Sequence, residues 1–333
     1  MDASKTLPLS PTTAVIVATR GRPKIVKTLV GRLSEQSRPP EHIFIIGTAP
    51  EDVSELDVAA AGMTIHIGRP GSALQRNDGL ALAGSRFSHI VFFDDDFVPS
   101  RFWIEEMAAL FQARPDVAGL TGFVLADGAS GAGIELADAL VMVERRDCER
   151  AAKTALQDDV GFGGNIGCNM AFRYSSIRNL RFDERLPGYA WLEDADFRGQ
   201  ALRQGRFVRT EALWGVHLGH KLGRARGIPL GYSQIANAVY LAKKGTVPAP
   251  YLAQLALKNV LGNIIRSIRP EPFIDRRGRL RGNMLALADL LRGRIAPEHI
   301  LMLNERLSDP SGPPELRRKL LPPLHPAMDR KVE

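Results

Sequence analysis

Short, nearly uninterrupted apolar runs punctuate the first third of the chain. They lie at 13–19 (TAVIVAT), 42–47 (HIFIIG), 63–67, 89–93 (HIVFF) and 117–125. Runs of this length, rich in β-branched residues and lacking strict alternation, predict strands covered on both faces. Between them, 23–34, 72–83 and 100–113 read as helices, with Pro23 in a first turn and Ser100 as an N-cap. Strands alternating with helices predict a mostly parallel α/β sheet. Residues 127–165 lack periodicity and read as part helix, part loop. Beyond them the pattern predicts a strand at 169–173, a helix at 194–204 stopped by Gly205, and a strand at 207–210. From Gly231 onward it is helical, at 232–244, 251–268 and 280–293, and after Ser308 a proline-rich tail reads as extended.

Composition narrows the class. With 333 residues, 44% hydrophobic and 24% charged, the chain is of globular type and can bury a core without covalent staples. Cys148 and Cys168 cannot form a disulfide framework, which fits a reducing compartment. No window approaches 18 apolar residues, and the N-terminus lacks the basic-then-apolar pattern of a signal peptide, so the sequence reads as cytoplasmic. The net charge of +7 is local: residues 243–294 carry 11 Lys and Arg against 3 Asp and Glu. These basic helices fit two roles. They could pack as ordinary amphipathic helices, or dock through Arg266, Arg269, Arg276, Arg277, Arg279 and Arg281 on anionic lipid at the inner face of a membrane. Zinc-finger spacing and RNA-binding aromatic motifs are both missing, so nucleic acid is not an expected partner.

Candidate chemistry sits at three strand ends. Asp94-Asp95-Asp96 directly follows HIVFF. Three adjacent carboxylates repel one another, and a hard divalent cation, Mn²⁺ or Mg²⁺, is the expected reason to keep them together at a strand's carboxyl end. Within 191–197 (WLEDADF), Asp194 and Asp196 flank a helix N-terminus, where orphan amides stabilise a carboxylate, and they suggest a general base beside the metal. His217 and His220 follow in LWGVHLGHK, and either could complete the metal shell.

Taken together, these residues resemble family-2 glycosyltransferases over about residues 13–245. The features occur in the family's order: Thr19-Arg20 with Arg22; the "G-x-x-x-x-R-N-x-G" stretch from Gly71 through Arg76, Asn77 and Gly79; Phe93-Asp94-Asp95-Asp96; 165–173 (NIGCNMAFR); Phe182-Asp183-Glu184 leading to the "ED" pair Glu193-Asp194; and 240–245 (YLAKKG). The resemblance implies a GT-A fold, a nucleotide-diphospho-sugar transferase architecture with a Rossmann-like, mostly parallel sheet. The catalytic domain would span 1–230, with a nucleotide-sugar half (13–125) and an acceptor half (126–230), and 231–333 would be a basic helical extension. The implied reaction is inverting, metal-dependent transfer of a sugar from a nucleoside-diphosphate sugar, UDP- or dTDP-linked, to a saccharide or lipid-linked acceptor hydroxyl, in cell-surface polysaccharide or glycolipid synthesis. By the same resemblance Asp194 is the base, and Glu193 and Trp191 contact the acceptor. Thr19, Arg20, Arg22, Asp52, Arg76, Asn77, Asp94 and Asp95 contact the nucleotide sugar, and Asp96, Asp94 and His217 hold Mn²⁺ or Mg²⁺. One departure is visible: the second strand ends Ile46-Gly47-Thr48, without the acid that reads the base, and Asp52 is the candidate to replace it. Three rival readings remain. Asp94-Asp95-Asp96-Phe97-Val98 also fits the D-x-D-x-V pattern of haloacid-dehalogenase-type phosphatases, although on a fourth rather than a first strand. A sugar nucleotidyltransferase would share the metal logic, and a non-catalytic binding module would leave the paired acidic sites unexplained.

Overall fold

The computed structural model describes residues 11–57, 59–149, 156–158, 167–220 and 227–308. The chain opens with β1 (Thr13–Ala18), α1 (Pro23–Ser34), β2 (His42–Gly47), β3 (Met63–Ile67), α2 (Ser72–Ala83) and β4 (His89–Asp94). There follow β5 (Phe97–Pro99), α3 (Trp103–Ala113), β6 (Val117–Asp127), α4 (Leu136–Cys148), β7 (Leu156–Asp158), β8 (Asn169–Arg173), α5 (Tyr174–Ile177), α6 (Glu193–Ala201) and β9 (Arg206–His217). Four helices complete the described chain: α7 (Gly227–Lys244), α8 (Ala249–Arg266), α9 (Arg276–Leu291) and α10 (His299–Ser308).

The strands form one sheet in the order β3-β2-β1-β4-β8-β6-β9-β5, with β7 beside β9. β1 is parallel to β2 and β4, β2 to β3, and β6 to β9, while β8 runs antiparallel between β4 and β6. Two reversals restore direction, so β6 and β9 point the same way as β1 and β4. The carboxyl ends of these four strands therefore reach one edge, where open α/β sheets place their ligands.

Side chains alternate across each strand, so continuous apolar runs fill both layers at once. Ile16, Phe44, Ile90, Phe92 and Phe172 share one buried cluster with Leu80 of α2 and Phe197 of α6. Val15, Val17, Ile45, Val91 and Phe93 share the other with Leu29 and Leu33 of α1 and Trp103 and Met107 of α3. Ala238 and Leu241 of α7 and Leu252 of α8 belong to the first cluster, so the C-terminal helices pack directly on the sheet's own core. α7 also joins Ala286 of α9 and Ile300 of α10 in a smaller apolar cluster.

The structure shifts several sequence expectations. Ser100 is not the cap of α3, which begins at Trp103. Residues 97–99 instead pair with β9, and Ser100 prolongs that pairing by donating its N–H to the Trp214 carbonyl. Its hydroxyl donates to Asp147. β9 reaches to His217 rather than stopping at 210, because its register with β6 is reset by irregularities that let pairing resume after Thr210. α6 begins one residue earlier than expected, α7 begins at Gly227 rather than after 231, and α10 was not anticipated. Residues 165–166 of the motif at 165–173 and the tail after Ser308 lie outside the described residues.

Gly79 lets α2 lie close on β1: a Cβ there would sit 2.3 Å from Ile16 Cγ2. Gly79→Ala should therefore cost about 1–3 kcal/mol in denaturant unfolding. Gly31→Ala, on an open face of α1 with nothing within 4 Å, should instead gain up to about 1 kcal/mol.

Candidate active site

β4 delivers the aspartate triplet to the sheet edge, and the three carboxylates diverge. Asp94, about one third exposed, accepts from Arg76 Nη2 at 2.8 Å. Asp95 is buried: it accepts from the Thr19 hydroxyl at 2.6 Å and forms an ion pair with Arg22 at 2.7 Å. Asp96 accepts from the His220 backbone N–H at 2.8 Å and from Arg22 Nη1 at 3.1 Å, and its second oxygen lies 3.3 Å from His217 Nε2. A divalent ion is not the triplet's only source of compensating charge. The fold supplies protein donors to each carboxylate first: Arg76 to the first, Thr19 and Arg22 to the second, Arg22 and His217 to the third. Burial favours the protonated form of Asp96, but the His217 hydrogen bond, with Arg22 beside it, holds its carboxyl well below the usual range.

His217 ends β9 directly opposite Asp127, the last residue of β6. Its Nδ1 pairs with Asp127 Oδ1 at 2.8 Å, which aims Nε2 at Asp96 and, at 3.9 Å, at Asp94. Burial would lower the pKa of His217, but the hydrogen bonds to Asp127 and Asp96 prevail and push it up to about 10. Single oxygens of Asp94 and Asp96 and a ring nitrogen of His217 lie within 4.8 Å of one another. Two carboxylate oxygens and an imidazole suit Mn²⁺ or Mg²⁺, and a carboxylate behind the histidine is the usual way of fixing such a ligand. His220 enters through its backbone, leaving His217 as the imidazole of this group.

α2 supplies the link to the second acidic site. Arg76, buried, donates to Asp94 through one terminal nitrogen and to Glu193 Oε1 at 2.8 Å through the other. It also reaches the Gly167 carbonyl at 3.0 Å and lies over the Phe182 ring. Glu193 accepts in addition from the Ser72 hydroxyl at 2.8 Å. Asp194 lies in the first turn of α6, accepting from the Ala195 N–H at 2.8 Å. Burial pushes both Glu193 and Asp194 above the ordinary carboxylate range, against the pull of Arg76. The chain enters α6 through left-handed backbone at Ala190 (φ 50°) and Leu192 (φ 74°), conformations held only where surroundings over-determine them. Asn237 of α7 does part of this by donating to the Trp191 carbonyl at 2.8 Å.

A model of glycosyl transferase family 2 matches residues 14–181. The chain belongs to glycosyl transferase family 2. The glycosyltransferase shares its fold with solved structures. It is 15% identical to S. aureus TarS 1-349, with a TM-score of 0.52 over 87% of this chain and 82% of that one. It is 14% identical to the same protein in complex with UDP-GlcNAc, again with a TM-score of 0.52, over 87% and 82%. A search of curated proteins gave no match. The fold is thus GT-A, with its mixed, mostly parallel sheet, and the protein is an enzyme of the glycosyltransferase class. The phosphatase, nucleotidyltransferase and non-catalytic readings are set aside.

The glycosyltransferase does not deploy every expected residue toward a cleft. Thr19 is buried with its hydroxyl on Asp95, and Arg22 is taken up by Asp95 and Asp96. Asn77 binds backbone, donating to the Phe182 carbonyl at 2.9 Å and accepting from its N–H at 2.8 Å. Asp52 accepts from Gly21 N–H (2.6 Å), Thr48 N–H (2.7 Å), Thr48 hydroxyl (2.8 Å) and Ala49 N–H (3.1 Å), so its oxygens fasten the loop after β1 to the end of β2. Trp191 packs partly buried against the core beside α6. Arg20 alone of these cations is exposed and makes no ion pair among the described residues. Sequence reasoning missed Asp127, although it carries the same signal as Asp94, an acid closing a strand. It named Lys244 only within 240–245, without the role the fold gives it: Lys244 bridges Asp183 at 2.6 Å and the fully buried Asp196 at 2.7 Å.

Two measurements follow from the His217 geometry. Metal needs neutral imidazole, and His217 without metal stays protonated up to about pH 10, so Mn²⁺ binding at neutral pH should release a proton and tighten as pH rises. Calorimetry in buffers of different ionisation enthalpy reads this directly. Asp127→Asn should weaken Mn²⁺ binding by about 10–100-fold.

Proposed function

We propose that this glycosyltransferase transfers a sugar, with inversion, from a nucleoside-diphosphate sugar to an acceptor hydroxyl, in synthesis of a cell-surface polysaccharide or glycolipid. A UDP- or dTDP-sugar is the favoured donor, and UDP-GlcNAc is the ligand of the TarS complex. The observation that carries the reading is Arg76, which joins Asp94 of the divalent-ion group to the Glu193–Asp194 pair and so sets donor and acceptor chemistry side by side.

Asp94, Asp96 and His217 are the residues that would hold Mn²⁺ or Mg²⁺. When bound, such an ion supplies positive charge for the diphosphate as it departs. Arg20, exposed just beyond β1, would meet the same phosphates. Asp194 takes the proton from the acceptor hydroxyl while that oxygen bonds to the anomeric carbon and the bond to the diphosphate oxygen breaks on the opposite face. Burial raises the proton affinity of Asp194 and makes it a stronger base than an exposed carboxylate. Glu193 and Trp191, which precede it in the chain, would border the acceptor. Thr19, Arg22, Asp52, Asn77 and Asp95 act as struts that keep the donor loop and the 182–184 segment in place. We read residues 231–333 as an extension whose helices α7 and α8 buttress the catalytic unit, because they complete the core of the sheet.

Asp194→Asn should lower turnover by about 10²–10⁴ while donor affinity, read by calorimetry with UDP-sugar and Mn²⁺, stays within about twofold. The base works ionised, so activity should fall on acidification, and the raised pKa sets that limb above the ordinary carboxylate value of about 4. The limb should vanish from the residual activity of Asp194→Asn. Wild-type turnover in that variant would refute the assignment.

A further inference from the structure

α8 is built unlike the other helices. Its inner side packs through Leu252 and the buried Asn263, yet its outer side is also apolar. Leu257, Leu261, Ile264, Ile265 and Ile268 form one stripe that runs into the following turn, and they are between 46% and 78% exposed. Monomeric soluble proteins seldom leave such a stripe open to water. The charge around it is mainly positive. α8 contains no acid. The neighbouring acids are engaged by local partners: Glu271 pairs with Arg266 and Arg276, the exposed Asp275 accepts from the Gly278 N–H at the start of α9, and the buried Asp289 pairs with Arg294. Lys258, Arg269, Arg281 and Arg292 are exposed and make no ion pair among the described residues.

We propose that α8 and the turn after it lie in the interface of an anionic lipid bilayer, with the isoleucine and leucine stripe among the acyl chains and the surrounding cations on the headgroups. An apolar stripe rimmed by lysine and arginine is the composition that binds in the plane of such an interface. A second copy of this chain is a poorer occupant, because two such faces would bring like charges together. No helix among the described residues is long and apolar enough to cross a membrane, so the contact is with the surface. The other end of α8 packs beside the helix that carries Asp194: Leu252 and the partly buried Tyr251 share an apolar cluster with Ala195 and Phe197 of α6. From Tyr251 to Ile268 the helix and its turn span about 25 Å. The enzyme would thus lie with Asp194 within one helix length of the bilayer, which suits a lipid-linked acceptor; that last step rests on the glycosyltransferase mechanism above, whereas lipid binding does not.

The test is co-sedimentation of the full chain with phosphatidylcholine vesicles and with mixed phosphatidylcholine–phosphatidylglycerol vesicles, alongside Mn²⁺-dependent hydrolysis of UDP-sugar. Binding should require phosphatidylglycerol and weaken with salt. Lys258→Gln and Arg269→Gln should each lower affinity about fivefold. Ile265→Ser with Ile268→Ser, which leaves the charge unchanged, should lower it on the order of tenfold or more without altering hydrolysis. No vesicle binding, or equal binding by the serine variant, overturns the proposal. So does a concentration-dependent dimer that the serine variant dissolves, or lipid binding that emerges only when residues 309–333 are removed. Absent hydrolysis with vesicle binding intact counts against the catalytic reading alone.

Discussion

The organising constraint is the crowding of negative charge at one edge of the sheet. Asp94, Asp95, Asp96, Asp127, Glu193 and Asp194 converge there from two strand ends and a helix. Like charges in a partly dry site would force some of these groups to protonate or drive the elements apart. Two arginines and a histidine offset much of this repulsion, although burial still raises the proton affinity of Asp95, Glu193 and Asp194. Arg22 neutralises the inner half of the triplet, Arg76 joins its outer member to Glu193, and His217 lies between Asp96 and Asp127. Removing one partner of a buried pair costs about 3–5 kcal/mol, because the other is left charged without solvent. The same contacts therefore stabilise the fold and shape the site.

That dual role explains why so many polar side chains near the site are buried. Gln75 donates to the Thr19 and Ile46 carbonyls, Asn77 holds Phe182, and Asp52 gathers four donors around the end of β2. Each ties a loop at the carboxyl edge to a rigid element. The loops are where function varies, and the scaffold beneath them sets their positions.

The C-terminal helices take part in the same framework. Tyr240 and Lys244 of α7 reach Asp183, Lys244 and Thr246 reach Asp196, and Asn237 holds the turn into α6. Left-handed backbone at Ala190 and Leu192 costs on the order of 1–3 kcal/mol each, and these contacts hold it in place. Asp194 is thus positioned by residues from both sides of residue 230.

The sequence by itself determined most strands and helices of the α/β half, since short β-branched apolar runs bounded by turn residues and alternating with amphipathic segments suit doubly covered strands. It also marked the acids at strand and helix ends, since an acid directly after such a run must sit where the sheet meets solvent. It did not determine which way each acid faces. Asp94, Asp95 and Asp96 are consecutive, yet one is part exposed and two are buried, because β4 ends and the chain turns into β5 there. Nor did it show that Arg76, Glu193 and Asp94 share one contact, that Asp127 stands behind His217, or that Ser100 extends a strand pairing. Those contacts join residues many positions apart, and only the order and direction of strands in the sheet bring them within hydrogen-bond reach. Local pattern fixes what a segment becomes, while pairing across the sheet fixes what it touches, because the charges that must be neutralised come from segments the chain does not place in succession.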